Sequence, residues 1–366
     1  MSPNTDYLLD TLQKLLAIAS PSGFTDQVVH FVCDELARLD IPFELTRRGA
    51  IRATLEGRQR SPDRALVAHV DTLGAQVKSL KANGRLEVVP VGHWNARFAE
   101  GCRATLFSGK RRYRGSLLPL KASGHTFAAA NDAQEANWQN IEMRVDVPGG
   151  DRQALVNAGI HIGDFIAIDT MTEIDLDSGF INSRHLDDKA GVAVLLTTAK
   201  ALKESTEALP VDLHLLFTIT EEVGSGASSV LHQDVAEMVS IDNGTTAPGQ
   251  NSSEYGVTIA MADQTGPFDY HLTHHLIHLC HEHGIGHQRD IFRFYRSDSA
   301  SAIEAGNDLR TALVCFGIDA SHYYERIHLD ALTSLTRLLW HYALSAPLFA
   351  DDNKLLTARP DFPHMP

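Results

Sequence analysis

The stretch Val211-Asp212-Leu213-His214-Leu215-Leu216-Phe217-Thr218-Ile219-Thr220-Glu221-Glu222 decides the reading of this chain. Residues 211–220 have the apolar character and length of a buried strand. Two carboxylates stand directly after it. Adjacent side chains at a strand end cannot point the same way, so one carboxylate is free to bind a metal while the other faces a reacting water. Glu-Glu pairs are also common on solvated faces, so the pair draws its meaning from its companions. His69-Val70-Asp71 follows the apolar run Ala65-Leu66-Val67-Ala68. Asp187-Asp188 lies inside Ser183-Arg184-His185-Leu186-Asp187-Asp188-Lys189-Ala190-Gly191. Asp242 ends the run 238–241, and His322 comes after 312–316. Acids and imidazoles recur where predicted buried strands stop, which is where open α/β sheets place ligands.

The chain has 366 residues, enough for two domains or one large domain with an insertion. Apolar residues make up 43%, which permits a large core. The formal net charge of −14 and the absence of a long Lys/Arg block argue against nucleic acid as a partner. Cys33, Cys102, Cys280 and Cys315 are scattered without pattern, as expected of buried thiols in a reducing compartment. The N-terminal apolar stretch is interrupted by Asp6, Asp10 and Lys14, and no run reaches membrane-spanning length. A cytoplasmic protein with no membrane contact is the expectation.

Helical periodicity marks residues 7–19, with Leu8, Leu9, Leu12, Leu15 and Leu16 on one face. A second helix follows Thr25, a strand is expected at 44–55, and a short buried strand at 65–70. From about Gly74 to Asp164 helical periodicity weakens. Strand-like pieces at 75–80, 86–91, 103–107 and 141–147 are separated by Gly, Asn and Pro turns. Residues 74–164 therefore read as a small β-rich domain inserted into an α/β domain made of 1–73 and 165–350. Residues 128–137 read as a loop. Beyond Asp164 the α/β rhythm returns: strands at 211–220, 238–242, 255–262, 290–295 and 311–316, and helices at 188–202, 270–283, 299–305 and 329–344. Residues 351–366 read as a polar C-terminal tail.

A hydrolytic dinuclear site needs a bridging carboxylate, terminal His and carboxylate ligands, and a nearby general base. The strand-end residues fill that list. Asp71, two positions beyond His69, is placed to take the imidazole's other N–H and so fix its tautomer.

The ordered set resembles the dinuclear zinc aminopeptidases of the glutamyl and deblocking type. The matching stretches are Pro21-Ser22-Gly23-Phe24, Ala68-His69-Val70-Asp71-Thr72-Leu73-Gly74, Leu186-Asp187-Asp188-Lys189-Ala190-Gly191, Thr220-Glu221-Glu222-Val223-Gly224 and Ser297-Asp298. They run in family order across most of the chain. The resemblance implies a mixed-sheet zinc-exopeptidase domain with helices on both faces, plus a small β-rich dimerisation domain. It implies His69, Asp187, Glu222, Asp242 and His322 as ligands of two divalent ions, with Asp187 bridging. Zinc is the first expectation, with cobalt or manganese as alternatives. Glu221 becomes the general base and Asp71 the partner that orients His69. The substrate would be a small peptide, and the assembly a dimer-based homo-oligomer, as large as a dodecamer in some members. Asp298 would contact the substrate amine or support the ligands. His125 would reach a neighbouring subunit's site.

Three departures qualify the match. The last ligand usually lies in an Ile-His-Ser-Pro context; here His322 and His328 compete, and His322 follows the strand more closely. Lys189 replaces the usual Arg. The region 102–140, with Ser123-Gly124-His125, is unlike simple members. Together these features resemble a bacterial subgroup linked to the osmoprotectant N-acetylglutaminylglutamine amide. That subgroup implies an amidase or deacylase acting on acylated or amidated dipeptides as the alternative to an aminopeptidase.

Other features have plainer readings. His271, His274, His275 and His278 would share a helical face but lack acidic partners, and read as surface or packing residues. His93 and Trp94 read as structure of the inserted domain. Asp188 reads as a cap for the helix that follows it. Arg293 and Arg296 could recognise an acidic group or pair with surface acids.

Overall fold

The computed structural model describes residues 2–349 and 352. The chain opens with α1 (Thr5–Leu16), whose first turn is capped by the Asn4 side chain accepting from the Tyr7 N–H. Its expected apolar stripe is buried at Leu8, Leu12, Leu15 and Leu16, each worth about 1.5–3 kcal/mol on leaving water. Helix α2 (Asp26–Arg38) follows. The strand expected at 44–55 is a hairpin, β1 (Phe43–Leu45) paired with β2 (Ile51–Leu55). Strand β3 (Gln59–His69) begins well before the predicted run.

The inserted segment closes on itself. Strands β4 (Gly74–Leu80), β5 (Leu86–Val91), β6 (Arg103–Ser108), β7 (Arg111–Pro119), β8 (Ile141–Val145) and β9 (Phe165–Ile168) form a closed barrel in the order β4-β5-β8-β7-β6-β9. Short helices α3 (Gly124–Phe127), α4 (Ala129–Asp132) and α5 (Arg152–Ala158) decorate it. The barrel has its own core, including Leu86, Leu106, Leu117, Met143 and Ile166. Two expectations are corrected here. Strand β9 lies beyond the predicted boundary at 164, because its apolar run Phe165-Ile166-Ala167-Ile168 looks locally like the resumed α/β rhythm. Its register with Ala75 and Leu106 assigns it to the barrel instead. The stretch 128–137 is also not all loop, since it contains α4.

The larger domain resumes with β10 (Glu173–Ile174), β11 (Phe180–Ser183) and α6 (Leu186–Glu204). Then come β12 (Val211–Thr218), β13 (Val235–Thr245), β14 (Val257–Asp263), β15 (Gly266–Pro267), α7 (Tyr270–Glu282), β16 (His287–Ile291), α8 (Asp298–Glu304), β17 (Arg310–Ile318), β18 (Glu325–His328) and α9 (Leu329–Leu344). Nine strands form a mixed sheet, ordered β1-β2-β12-β3-β13-β17-β14-β15 with β16 beside β14. The central pairs β12–β3, β3–β13 and β13–β17 are parallel, and β12 is buried along its whole length. Helix α6 is buried on almost every face, as a helix packed between a sheet and other helices must be. The strand predicted at 290–295 ends at Ile291, and residues beyond it form a turn. The predicted tail at 351–366 lies outside the described residues apart from Asp352, which accepts from Arg310. No helix among the described residues is long and apolar enough to cross a membrane.

Candidate metal centre

Parallel pairing of β3 with β12 and β13 aligns their C-terminal ends. Thr218 pairs with His69, and Ser240 with Val67, so Asp242 emerges beside His69. The head of α6 enters the same space, and there Asp187 and Asp188 depart from helical backbone angles.

Asp187 sits between two imidazoles. Its Oδ1 lies 3.1 Å from His69 Nε2, and its Oδ2 lies 3.3 Å from His322 Nε2. Two groups of donors result, each gathered within 4.8 Å: His69, Asp187 and Asp242; and Asp187, Glu222 and His322. The expected ligands are thus neighbours, and Asp187 is common to both groups. His328 is elsewhere: its Nε2 meets the Ser178 carbonyl and its Nδ1 accepts the Asp330 N–H at the head of α9.

Both imidazoles are held by their far nitrogens. His69 Nδ1 lies 2.9 Å from the Asp71 backbone carbonyl, and His322 Nδ1 lies 3.1 Å from the His93 backbone carbonyl. A carbonyl only accepts, so each Nδ1 carries a proton, and each Nε2, turned toward Asp187, becomes an electron donor when a cation displaces its own proton. The Asp71 carboxylate is further from His69 Nδ1, at 3.5 Å. It accepts instead from Ser22 Oγ at 2.5 Å and from the N–H groups of Glu221 and Glu222 at 3.2 and 3.3 Å. Asp71 therefore pins the Glu-Glu corner while its carbonyl pins His69. Asp188 does not cap α6. Its Oδ2 accepts the His69 N–H at 3.0 Å, because the non-helical backbone turns it back onto β3.

Crowded acids shape the electrostatics. Burial first, then the Asp187 charge, pushes Glu222 up to about 8 and Asp242 up to about 7. Burial, with Asp242, Asp298 and Glu222 nearby, holds Glu221 well above the usual carboxylate range. Burial acts the same way on Asp187, but hydrogen bonds from His322 and His69 outweigh it and hold that carboxyl low. His322 is raised to about 10: burial opposes its charge, and Glu222 and Asp187 overcome that. This many mutually repelling carboxylates, enclosed with two oriented imidazoles, is a donor set that suits divalent cations. Glu221 stands outside both donor groups, with Oε2 3.8 Å from His69 Nε2.

A model of the M42 glutamyl aminopeptidase family matches residues 49–338. The chain belongs to that family. M42 membership makes it a metal-dependent peptide hydrolase. YhfE of Bacillus subtilis (strain 168) is 38% identical over 339 residues, covering 92% of this chain and 97% of that protein. The glutamyl aminopeptidase of Lactococcus lactis subsp. cremoris (strain MG1363) is 30% identical over 233 residues, 61% of this chain and 62% of that one. Among solved structures, aminopeptidase APDkam598 from the archaeon Desulfurococcus kamchatkensis superposes with a TM-score of 0.83 at 22% identity, over 93% of this chain and 96% of that one. The Pyrococcus horikoshii TET1 peptidase, which can assemble into a tetrahedron or a large octahedral shell, gives 0.81 at 20% identity over 93% and 100%. These likenesses establish the M42 fold, including the mixed sheet and the separate β-barrel.

Sequence reasoning missed several contributors to this M42 site. Glu325 accepts the N–H groups of Leu186 (2.8 Å), Asp187 (3.3 Å) and His322 (2.9 Å), tying both ligand loops together. Asn243 donates to Asp187 Oδ2 at 2.8 Å. Ser22, in Pro21-Ser22-Gly23-Phe24, donates its hydroxyl to Asp71 Oδ2 at 2.5 Å. Buried Lys189 gives its ammonium to the Ile18 carbonyl, and burial lowers it to about 7. Asp298 is buried, with Oδ2 accepting from Thr218 Oγ1 at 2.7 Å. His125 lies exposed on α3. Arg296 pairs with Glu304, and the histidines of α7 make packing contacts such as His275 Nε2 to Ser345 Oγ.

Proposed function

We propose that this chain is an exopeptidase that hydrolyses the N-terminal peptide bond of small peptides with the help of two divalent ions, zinc foremost. The supporting observation is that Asp187 presents one carboxylate oxygen to each imidazole-containing donor group. His69 and Asp242 would hold one ion, Glu222 and His322 the other, and Asp187 both. When bound, such ions acidify water and polarise a carbonyl. Glu221, outside both donor groups, takes a proton from the attacking water and delivers it to the leaving nitrogen as the C–N bond breaks. Asp71 keeps Glu221 and Glu222 diverging by binding both their N–H groups. Asp298, buried three residues beyond Tyr295, is assigned to the substrate amine or to support of the ligands.

Peptide would enter through a cleft of about 1460 Å³ that includes Trp94, Arg289, Arg293, Tyr295 and His322. His125 is assigned to a neighbouring subunit's site in a dimer-based homo-oligomer. The four buried free cysteines suit the reducing cytoplasm. The second reading, hydrolysis of acylated or amidated dipeptides related to an osmoprotectant, rests on the His322 context, Lys189 and the unusual 102–140 region, and uses the same metals and base. Turnover of aminoacyl-anilides against N-acetyl dipeptides separates the two.

The assignment of Glu221 is tested by Glu221→Gln. A base contributes about 10²–10⁴-fold, so hydrolysis should fall by at least the lower figure while metal content, measured by mass spectrometry of the purified protein, stays at the wild-type level. Unchanged turnover would remove Glu221 from this role.

A further inference from the structure

The cleft contains a polar group that the mechanism above does not use. Tyr295 sits in the turn between β16 and α8, and its enclosed hydroxyl has the Asp242 carboxylate as a near neighbour but makes no hydrogen bond of good geometry among the described residues. Asp242, Asp187 and Glu221 are the carboxylates whose charges act on it. Its position is not a loose one. The ring packs 5.6 Å from the Phe292 ring, beside a small apolar cluster of Ala260, Phe268, Phe292, Leu313 and Cys315. The Tyr295 carbonyl accepts the Gln264 N–H at 2.9 Å, fixing the turn.

Leaving a buried hydroxyl unpaired costs the full desolvation of that group. Phenylalanine would fill the same space at no such cost, so the hydroxyl calls for a partner that arrives later. Such unsatisfied groups in a folded protein call for an explanation such as catalysis. A carboxylate-lined surface offers no donors to a substrate, whereas acyl transfer develops negative charge on the carbonyl oxygen. A rigid O–H donor beside Asp242 supplies what those acids cannot. An ordinary phenol, with a pKa of about 10, keeps its proton at neutral pH and so remains a donor.

We propose that Tyr295 is a catalytic residue that donates a hydrogen bond to the carbonyl oxygen of the scissile bond as it becomes an oxyanion. This rests on the hydrolase reading. As water oxygen bonds to the carbonyl carbon, the C=O π pair moves onto oxygen, and Tyr295 O–H stabilises it without giving up its proton. The pair returns as the C–N bond breaks, and the leaving nitrogen takes the proton carried by Glu221. A donor already in place before charge develops needs no reorganisation, which is the source of its advantage.

The test is Tyr295→Phe in the full metal-loaded chain, on whichever substrate the wild type turns over, aminoacyl-anilide or N-acetyl dipeptide. Loss of one oxyanion donor is worth about 10²–10³-fold in kcat, so kcat should drop by about 100-fold with KM little changed. A phosphinic dipeptide that mimics the tetrahedral state should bind more weakly by a similar factor, and the product amino acid should bind as before. Metal affinity, measured by chelator competition, should not move, and Tm should hold or rise because an unpaired hydroxyl has gone. A wild-type kcat in the variant would overturn the proposal. So would a loss of activity explained by weaker metal binding, which would make Tyr295 a support for Asp242. A wild type that turns over neither substrate class defeats the hydrolase reading itself, and this inference with it.

Discussion

Asp71 shows how one residue serves two parts of the site through different atoms. Its carbonyl sets the tautomer of His69, and its carboxylate collects Ser22 Oγ and two backbone N–H groups. All three carboxylate partners are donors or best used as donors. Asp71→Asn therefore keeps the His69 contact but turns one acceptor oxygen into an NH2 group facing other donors. The expected result is a loss of about 10–100-fold in turnover, with near-normal affinity for metal at His69; steady-state kinetics alongside metal titration checks both. A change in metal affinity alone, without a loss in kcat, would show that the carboxylate serves His69 rather than the Glu-Glu corner.

At the scale of elements, the middle of β3 is tied to the end of α9. Arg64 is 1% exposed. Its Nε donates to Glu237 Oε2 on β13 at 2.8 Å, and its other nitrogens donate to the carbonyls of Tyr342, Ser345 and Ala346 at 2.7–2.9 Å. The guanidinium also lies 4.5 Å from the Tyr342 ring centroid. Carbonyls left free at a helix C-terminus attract a cation, so this single side chain anchors α9 to the sheet that carries His69. Arg64→Met leaves Glu237 buried without its countercharge. Breaking a buried pair this way costs about 3–5 kcal/mol, and urea denaturation should show a midpoint lowered accordingly. A shift below 1 kcal/mol would mean that water or a rearranged α9 end replaces the guanidinium.

Across the whole molecule, stacked imidazoles couple distant elements to pH. His232 stacks on His214 at 3.9 Å, and His341 on His283 at 3.5 Å. Burial first, then the neighbouring cations and imidazoles, lowers His232 to about 4 and His341 to about 4. An unfolded histidine titrates near 6.5. Between these values the unfolded chain binds protons that the fold refuses, so stability rises with pH over that window. The stabilisation is complete above pH 6.5 and is lost as pH falls through 4. Tm measured from pH 7 to pH 4.5 should fall, and the double variant His232→Asn/His341→Asn should fall less steeply. Equal slopes would show that carboxylates elsewhere carry the whole effect. The barrel belongs to the same whole-molecule view, since the His93 carbonyl on its side sets the tautomer of His322 on the other.

Local pattern encodes period and burial, and that much of this protein was legible in residue order. The helices at α1, α6, α7 and α9, the buried strands, and the acids and imidazoles that end them follow from side-chain chemistry at short range. So did the existence of a β-rich insertion, since the loss of helical periodicity is itself local. What required the folded chain were relations between distant segments. Strand β9 reads like any apolar run until its pairing places it in the barrel. Arg64 stands just before the apolar run 65–68, and only the folded chain brings the end of α9 onto it. Glu325, Tyr295 and the His93 carbonyl acquired meaning only from neighbours far along the chain. Register between strands and the approach of loops depend on packing summed over the whole core, and no short stretch of residues carries that sum.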